Sequence, residues 1–163
     1  MSERTNADVA ALDLGYVDSC LAEAAHEVLE TMFFVSVEGD ANWADAAGVD
    51  CRYISIEFHG PLEGRMSLAA SMDAAPPLAA GFSGRDESEL TSEDINGVLC
   101  EMANMLCGNL LSRLENDALF SLSAPRVSGV EDGGVGVCRV FDLGIGAIRV
   151  CVSVNQSGSG LAT

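Results

Sequence analysis

Hydrophobic and polar positions alternate in two distinct periods along this chain. Helical spacing of apolar residues appears first at Val17, Leu21, Ala24, Ala25, Val28 and Met32, which predicts a helix over 16–32 with a start signal near Asp13. A short apolar stretch over 33–37 reads as a strand, and the Gly-, Asp- and Asn-bearing segment 38–50 as a loop, with Trp43 and Ala46 folded back. Period-two alternation then takes over. Tyr53, Ser55, Glu57 and His59 fall on one side of 51–59, and Ile54, Ile56 and Phe58 on the other, as in a half-buried strand. Gly60-Pro61 makes a turn into a second strand over 62–72, giving a hairpin. The segment 73–82 opens with Pro76-Pro77, tolerated in a helix only in its first turn, and reads as a short helix. A polar connection spans 84–90.

The longest periodic run is 92–115, with Thr91 and the acids Glu93 and Asp94 at its start. At 100° per residue it divides into two arcs. Ile95, Leu99, Met102, Ala103, Leu106, Cys107, Leu110 and Leu114 form a core-facing stripe. Asp94, Gly97, Glu101, Asn104, Gly108, Ser112 and Glu115 form the opposite, open face. Glu101 and Asn104, three residues apart, are neighbours there. Gly97 and Gly108 flank them, each costing the helix about 1 kcal/mol relative to alanine. On a solvated face that loss has no packing reason unless something approaches the backbone. Val98 and Met105 border the same face and are apolar. The set Gly97, Val98, Glu101, Asn104, Met105 and Gly108 therefore reads as a docking surface.

Beyond the long helix, 119–127 reads as a strand with Pro125 near its end, which favours an edge. Gly133-Gly134 is a turn. Strands over 135–143 and 147–154 flank the turn Gly144-Ile145-Gly146 and form a last hairpin. The order α-β-ββ-αα-β-ββ, in two similar halves, predicts an α+β fold: an antiparallel-rich sheet with helices packed on one face. Residues 1–154 are expected to form a single domain and 155–163 a flexible tail. No glycine-rich phosphate loop follows a strand and opens a helix, so a nucleotide fingerprint is rejected.

Charge narrows the partners. Twenty-five acidic residues against eight basic ones give a formal net charge of −17. Nucleic-acid affinity comes largely from Lys and Arg on phosphates, so nucleic acid is excluded as a partner, and so are anionic membrane surfaces. A partner with a positive patch, or a lysine at its own site, would be steered in. No apolar run is long enough to span a bilayer. The first residues lack the basic and apolar regions of a secretory signal, so a cytoplasmic location is expected.

The six cysteines, Cys20, Cys51, Cys100, Cys107, Cys138 and Cys151, include no Cys-x-x-Cys pair, and His26 and His59 stand apart. They read as reduced, buried thiols behaving as small hydrophobes, with no spacing for zinc or redox chemistry. No metal site is expected. Trp43, His26 and His59 read as packing or surface residues.

Glu-x-x-Asn alone is a short motif that chance supplies often. Its frame is more specific. Glu101-Met-Ala-Asn104-Met-Leu-Cys-Gly108-Asn109, followed by Pro125, resembles the signature of the CheC/CheX/FliY phosphatases of bacterial chemotaxis. Val28-Leu29-Glu30-Thr31-Met32 resembles the opening helix of the CheX branch. Phe58-His59-Gly60-Pro61-Leu62-Glu63-Gly64 resembles its central hairpin. The likeness runs from about Val17 to Val154. Helix one carries Glu23 and Glu27, but Glu27-Val28-Leu29-Glu30 lacks the asparagine, so a single active helix is similar to CheX. In one departure, Gly97 stands where the family has Asp or Ser four residues before the glutamate, with Asn96 beside it.

The resemblance implies hydrolysis of the aspartyl phosphate of a response-regulator receiver domain of the CheY kind. Asn104 would then position the attacking water and Glu101 would pair with a lysine of the regulator. It also implies Mg2+ held by the regulator rather than by this chain, and a symmetric homodimer. Apolar hairpin strands such as 147–154 would leave a sheet edge to be covered. The alternative is a non-catalytic regulator-binding module of the same fold, toward which Gly97 points.

Overall fold

The computed structural model describes residues 13–44, 50–115, 118–128 and 136–155. Helix α1 spans Leu14–Met32, with the Asp13 side chain accepting from the Gly15 N–H at its start. Strand β1 is Gly39–Asp40. Strands β2 (Cys51–His59) and β3 (Glu63–Ser71) form the central hairpin. Helix α2 is Ala75–Ser83, and a short 3-10 turn at Glu87–Glu89 leads to helix α3, Ser92–Leu114. Strands β4 (Ser121–Leu122), β5 (Arg126–Ser128), β6 (Val137–Asp142) and β7 (Ala147–Asn155) complete the order.

The seven strands make one sheet in the order β1-β6-β7-β3-β2-β4, with β5 also pairing β2, and every pairing is antiparallel. α3 packs on β2 and β3, α1 on β6, and α2 against α3. The fold is thus the expected α+β class. The alternation read from 51–59 is the observed one: Ile54, Ile56 and Phe58 are buried under the helices, while Tyr53, Ser55 and Glu57 stay half-buried on the opposite side. Among the described residues no helix is long and apolar enough to cross a membrane.

Four local expectations are corrected. Residues 33–37 form no strand. The chain leaves α1 in a tight turn with Phe34 at φ 58°, and the Val35 N–H donates back to the Leu29 carbonyl. A side chain at left-handed φ crowds its own carbonyl, which costs about 1–2 kcal/mol and makes glycine the usual occupant. Segment 119–127 forms two short strands rather than one. Both lie on β2, and Pro125, which has no N–H to donate, falls in the gap between them. Strand β7 is not an edge: β3 pairs one side of it and β6 the other. The sheet's outer strands are the two- and three-residue pieces β1, β4 and β5 instead. Lastly, β7 runs through Asn155, one residue into the segment read as a tail. The turn read at Gly133-Gly134, the placement of Ala46 and the remainder of the tail lie outside the described residues.

The cysteine reading is corrected too. Cys138 and Cys151 form a disulfide. They stand directly opposite each other because the hairpin pairs Asp142 with Ala147 and each cysteine lies four residues from that pair. Cys138 is exposed and Cys151 buried, while Cys51 and Cys100 are half-buried. Cys20 and Cys107 behave as read: burial pushes the Cys107 thiol up to about 12, so it stays protonated. Trp43 lies under the Arg149 guanidinium, 5.2 Å from its ring centre. His26 stands edge-on to Phe141, and His59 lies 3.8 Å from Glu63.

Candidate functional site

Helix α3 is fixed at both ends before its open face is considered. Thr91 accepts from the Asp94 N–H at 3.1 Å, and the Asp94 carboxylate accepts from the Thr91 N–H at 3.0 Å. Two otherwise orphaned donors are thereby satisfied. Those Thr91 contacts, backbone first, hold the Asp94 carboxyl below its ordinary value, helped by Arg85 at 3.4 Å. Near the other end Asn109 and Arg113 reach across to α1. Asn109 donates to Glu27 at 2.8 Å, and Arg113 donates to Glu27 at 2.6 Å and to Glu23 at 3.2 Å. The Asn109 hydrogen bond, then that of Arg113, lowers the Glu27 pKa. The two acids of α1 therefore serve as struts to α3.

Between these anchors the helix buries Ile95, Val98, Leu99, Met102, Ala103, Leu106, Cys107, Leu110, Leu111 and Leu114. Every member of the core stripe read from the sequence is buried, and Val98 and Leu111 join it. Val98 is the one correction to the docking set. It lies one turn before the buried Met102 and is itself buried with the core. Met105, on the same flank, is half-buried and packs on the core.

Glu101 and Gly97 are exposed, and Asn104 and Gly108 are half-exposed. At helical spacing of three, the Cβ atoms of Glu101 and Asn104 lie roughly 5–6 Å apart. Neither side chain makes a hydrogen bond or ion pair to the described residues, in contrast to Asn109 and Arg113 further along the helix. A Cβ added at Gly97 or Gly108 would meet nothing within 4 Å. Intramolecular packing therefore gives no reason for either glycine. Asn96 does not replace the polar group missing at Gly97, because its carboxamide oxygen is enclosed and has no partner among the described residues. Burial, then the neighbouring Glu101 carboxylate, pushes the Cys100 thiol up, away from the thiolate a nucleophile needs.

The site is convex. A concavity of about 460 Å3, lined by Glu57, His59, Glu63, Arg65, Ser67 and Ser153 among others, faces away from the helices. Among the described residues no three His, Cys, Asp or Glu side chains gather as metal ligands. What α3 offers is one carboxylate and one carboxamide, ordered on a rigid helix with bare backbone on either side. None of the concavities lined by β2, β3 and their neighbours includes a residue of α3. Such a surface can complete a reaction centre carried by another macromolecule.

An antiparallel α+β domain thus presents a Glu-x-x-Asn pair, without partners among the described residues, on its central helix. A family model described as chemotaxis phosphatase CheX matches residues 52–135, just over half of the chain. The chain belongs to the CheX family. Among solved structures it is similar to CheX from Vibrio vulnificus, with 17% identity and TM-score 0.71 over 89% of this chain and 100% of that one. It is similar also to the CheX-CheY-BeF3-Mg2+ complex from Borrelia burgdorferi, with 15% identity and TM-score 0.64 over 88% and 100%. FliY from Thermotoga maritima follows, at 12% identity and TM-score 0.52 over 88% and 92%. At these identities the structural likenesses speak for the fold. A search of curated proteins found no match.

Proposed function

We propose that this chain hydrolyses the aspartyl phosphate of a CheY-like response-regulator receiver domain, with Asn104 and Glu101 as its working residues. One observation carries the assignment of the pair. Among the polar side chains in the middle of α3, these two are left without internal partners on a face whose glycines have open space above them. Phosphoryl transfer to water needs positioning and charge stabilisation more than covalent help. The Asn104 carboxamide oxygen accepts from one water and holds it in line with the phosphorus. The water oxygen bonds to phosphorus, the bond from phosphorus to the aspartyl oxygen breaks, and the aspartate leaves as a carboxylate. The water proton passes to phosphate or solvent, since a carboxamide does not act as a base. Glu101, ionised, takes a charge-assisted hydrogen bond from a lysine of the regulator and sets the docking angle. Mg2+ belongs to the regulator. The crystallised relative with CheY, BeF3 and Mg2+ supports that division.

Phosphate release from a phosphorylated receiver domain, with and without this protein, tests the reading. The wild type is expected to accelerate it. Glu101→Ala is expected to raise KM and lower turnover, with the gap to wild type narrowing as salt rises, because screening weakens the lost contact in both. Binding to the receiver with no acceleration would favour the non-catalytic module instead.

We propose further that residues 1–154 act as one CheX-like domain and that the protein is a symmetric homodimer. Strand β1 pairs only Phe141 and Asp142 of β6, so among the described residues the rest of that edge, 137–140, is left open to a strand of a second copy. Sedimentation at tens of micromolar is expected to give twice the chain mass, and a monomer there would remove the dimer.

A further inference from the structure

The Cys138–Cys151 disulfide joins β6 to β7, away from α3 and its Glu101–Asn104 face, which pack over β2 and β3. Toward the far end of β6, β1 pairs Phe141 and Asp142, the Glu38 N–H donates to the Asp142 carbonyl at 2.7 Å, and Asp18 of α1 meets Arg139 at 3.4 Å. Cys138 precedes all three contacts, one residue after β6 begins at Val137. The disulfide adds a covalent tie at that end to the ladder that pairs β6 with β7.

The tie is placed where it can open and close. Cys138 is exposed, so a small thiol reaches its sulfur, while Cys151 is buried. Exposed disulfides are the labile ones, and enclosed ones resist reduction. Reduction consumes two equivalents of a low-molecular-weight thiol such as glutathione. The first thiolate bonds to the Cys138 sulfur, the bond to Cys151 breaks, and Cys151 leaves as a thiolate that takes a proton. The second thiolate attacks the glutathione sulfur of the mixed disulfide, releasing oxidised glutathione and the Cys138 thiolate, which is protonated in turn. Reoxidation finds the same partners, because the turn that pairs Asp142 with Ala147 keeps the two cysteines opposite each other. Exchange with the helix cysteines is disfavoured. Burial pushes the Cys107 thiol up to about 12 and raises that of Cys100, and the thiolate is the attacking form.

We propose that this disulfide is a redox switch on assembly: closed, it holds the outer edge of β6 ready for a second copy, and opened, it lets that edge fray and the dimer weaken. The proposal rests on the homodimer reading above and adds its regulation. The crosslink joins residues 13 apart in sequence, and so limits what the frayed chain can explore. A strand must be ordered before another can pair with it, and apparent affinity falls with the ordered fraction. By linkage the effect is reciprocal: a dimer that favours the closed bond makes that bond harder to reduce.

Sedimentation of the full chain, oxidised and after reduction by excess dithiothreitol, reads the first effect, with thiol titration confirming each state. The dimer Kd is expected to rise about tenfold on reduction. Cys138→Ser, a change at an exposed position, is expected to show the Kd of the reduced wild type with or without reductant. The reciprocal effect is read in glutathione redox buffers, at protein concentrations well below and well above Kd. A tenfold change in Kd is shared by two disulfides per dimer, so the buffer ratio that reduces half of the bonds is expected to shift about threefold. If reduction leaves Kd within twofold while the oxidised protein is a dimer, the switch is refuted and the homodimer stands. If reductant weakens the Cys138→Ser dimer as much as that of the wild type, other thiols are responsible and the switch is again refuted. A bond that millimolar glutathione does not open is structural, which overturns the switch too. A monomer in both states at tens of micromolar removes the switch and the homodimer together.

Discussion

Asn104→Ala is expected to slow phosphate release from a phosphorylated receiver domain about 10²–10³-fold. Removing one preorganised polar group at a reacting centre typically has that effect. The loss should appear in kcat, with Kd for the BeF3-loaded receiver within a few-fold of wild type, because the carboxamide organises a water and does not anchor the complex. Asn104 is half-exposed and has no internal hydrogen bond to lose, so its removal should change stability by no more than about 0.5 kcal/mol. Single-turnover dephosphorylation alongside thermal midpoints separates these quantities. Turnover by Asn104→Ala at the wild-type rate would detach the residue from the water and leave the protein as a binding module.

The second large effect is expected at the two glycines. Gly97→Leu and Gly108→Leu each place a branched side chain where no atom of this protein lies within 4 Å of the new Cβ. Each should stabilise the helix by up to about 1 kcal/mol, since glycine is the poorer helix former, and raise Tm by about 2–4 °C. Each should also weaken docking. A regulator that comes within contact distance of the bare helix meets the added side chain, and affinity is expected to fall about a hundredfold, the equivalent of about 3 kcal/mol. Stability rising while binding falls is a signature that damage to the fold cannot imitate. Gly97→Leu with unchanged Kd would mean that nothing approaches the helix there. Gly108→Ala serves as the graded control, a methyl being small enough to keep part of the affinity.

The sequence alone determined the parts of this protein that depend on period. The arcs of α3, the alternation of β2, the proline-led start of α2 and the final hairpin follow from which residues repeat at 3.6 and at 2, because burial of one face is what selects each element. The open position of Glu101 and Asn104 follows in the same way, as does the absence of a packing role for Gly97 and Gly108. The disulfide was not legible: a turn read as Gly144-Ile145-Gly146 sets Leu143 opposite Ala147 and Cys138 opposite Val152, and only the observed pair Asp142–Ala147 brings Cys138 opposite Cys151. What the chain could not state locally is which neighbour covers an intermediate position. Val98 sits at an angle that solvent or a neighbouring element could occupy, and in the folded chain it is buried with the core. The interior position of β7 and the splitting of the 119–127 segment depend on pairings between distant strands, which no window of residues contains. Phe34 is the clearest case. An apolar residue among Phe33, Val35 and Val37 reads as strand, yet the carbonyls at the end of α1 and the stacking of Phe33 on Phe82 turn the chain, and that turn leaves Phe34 exposed.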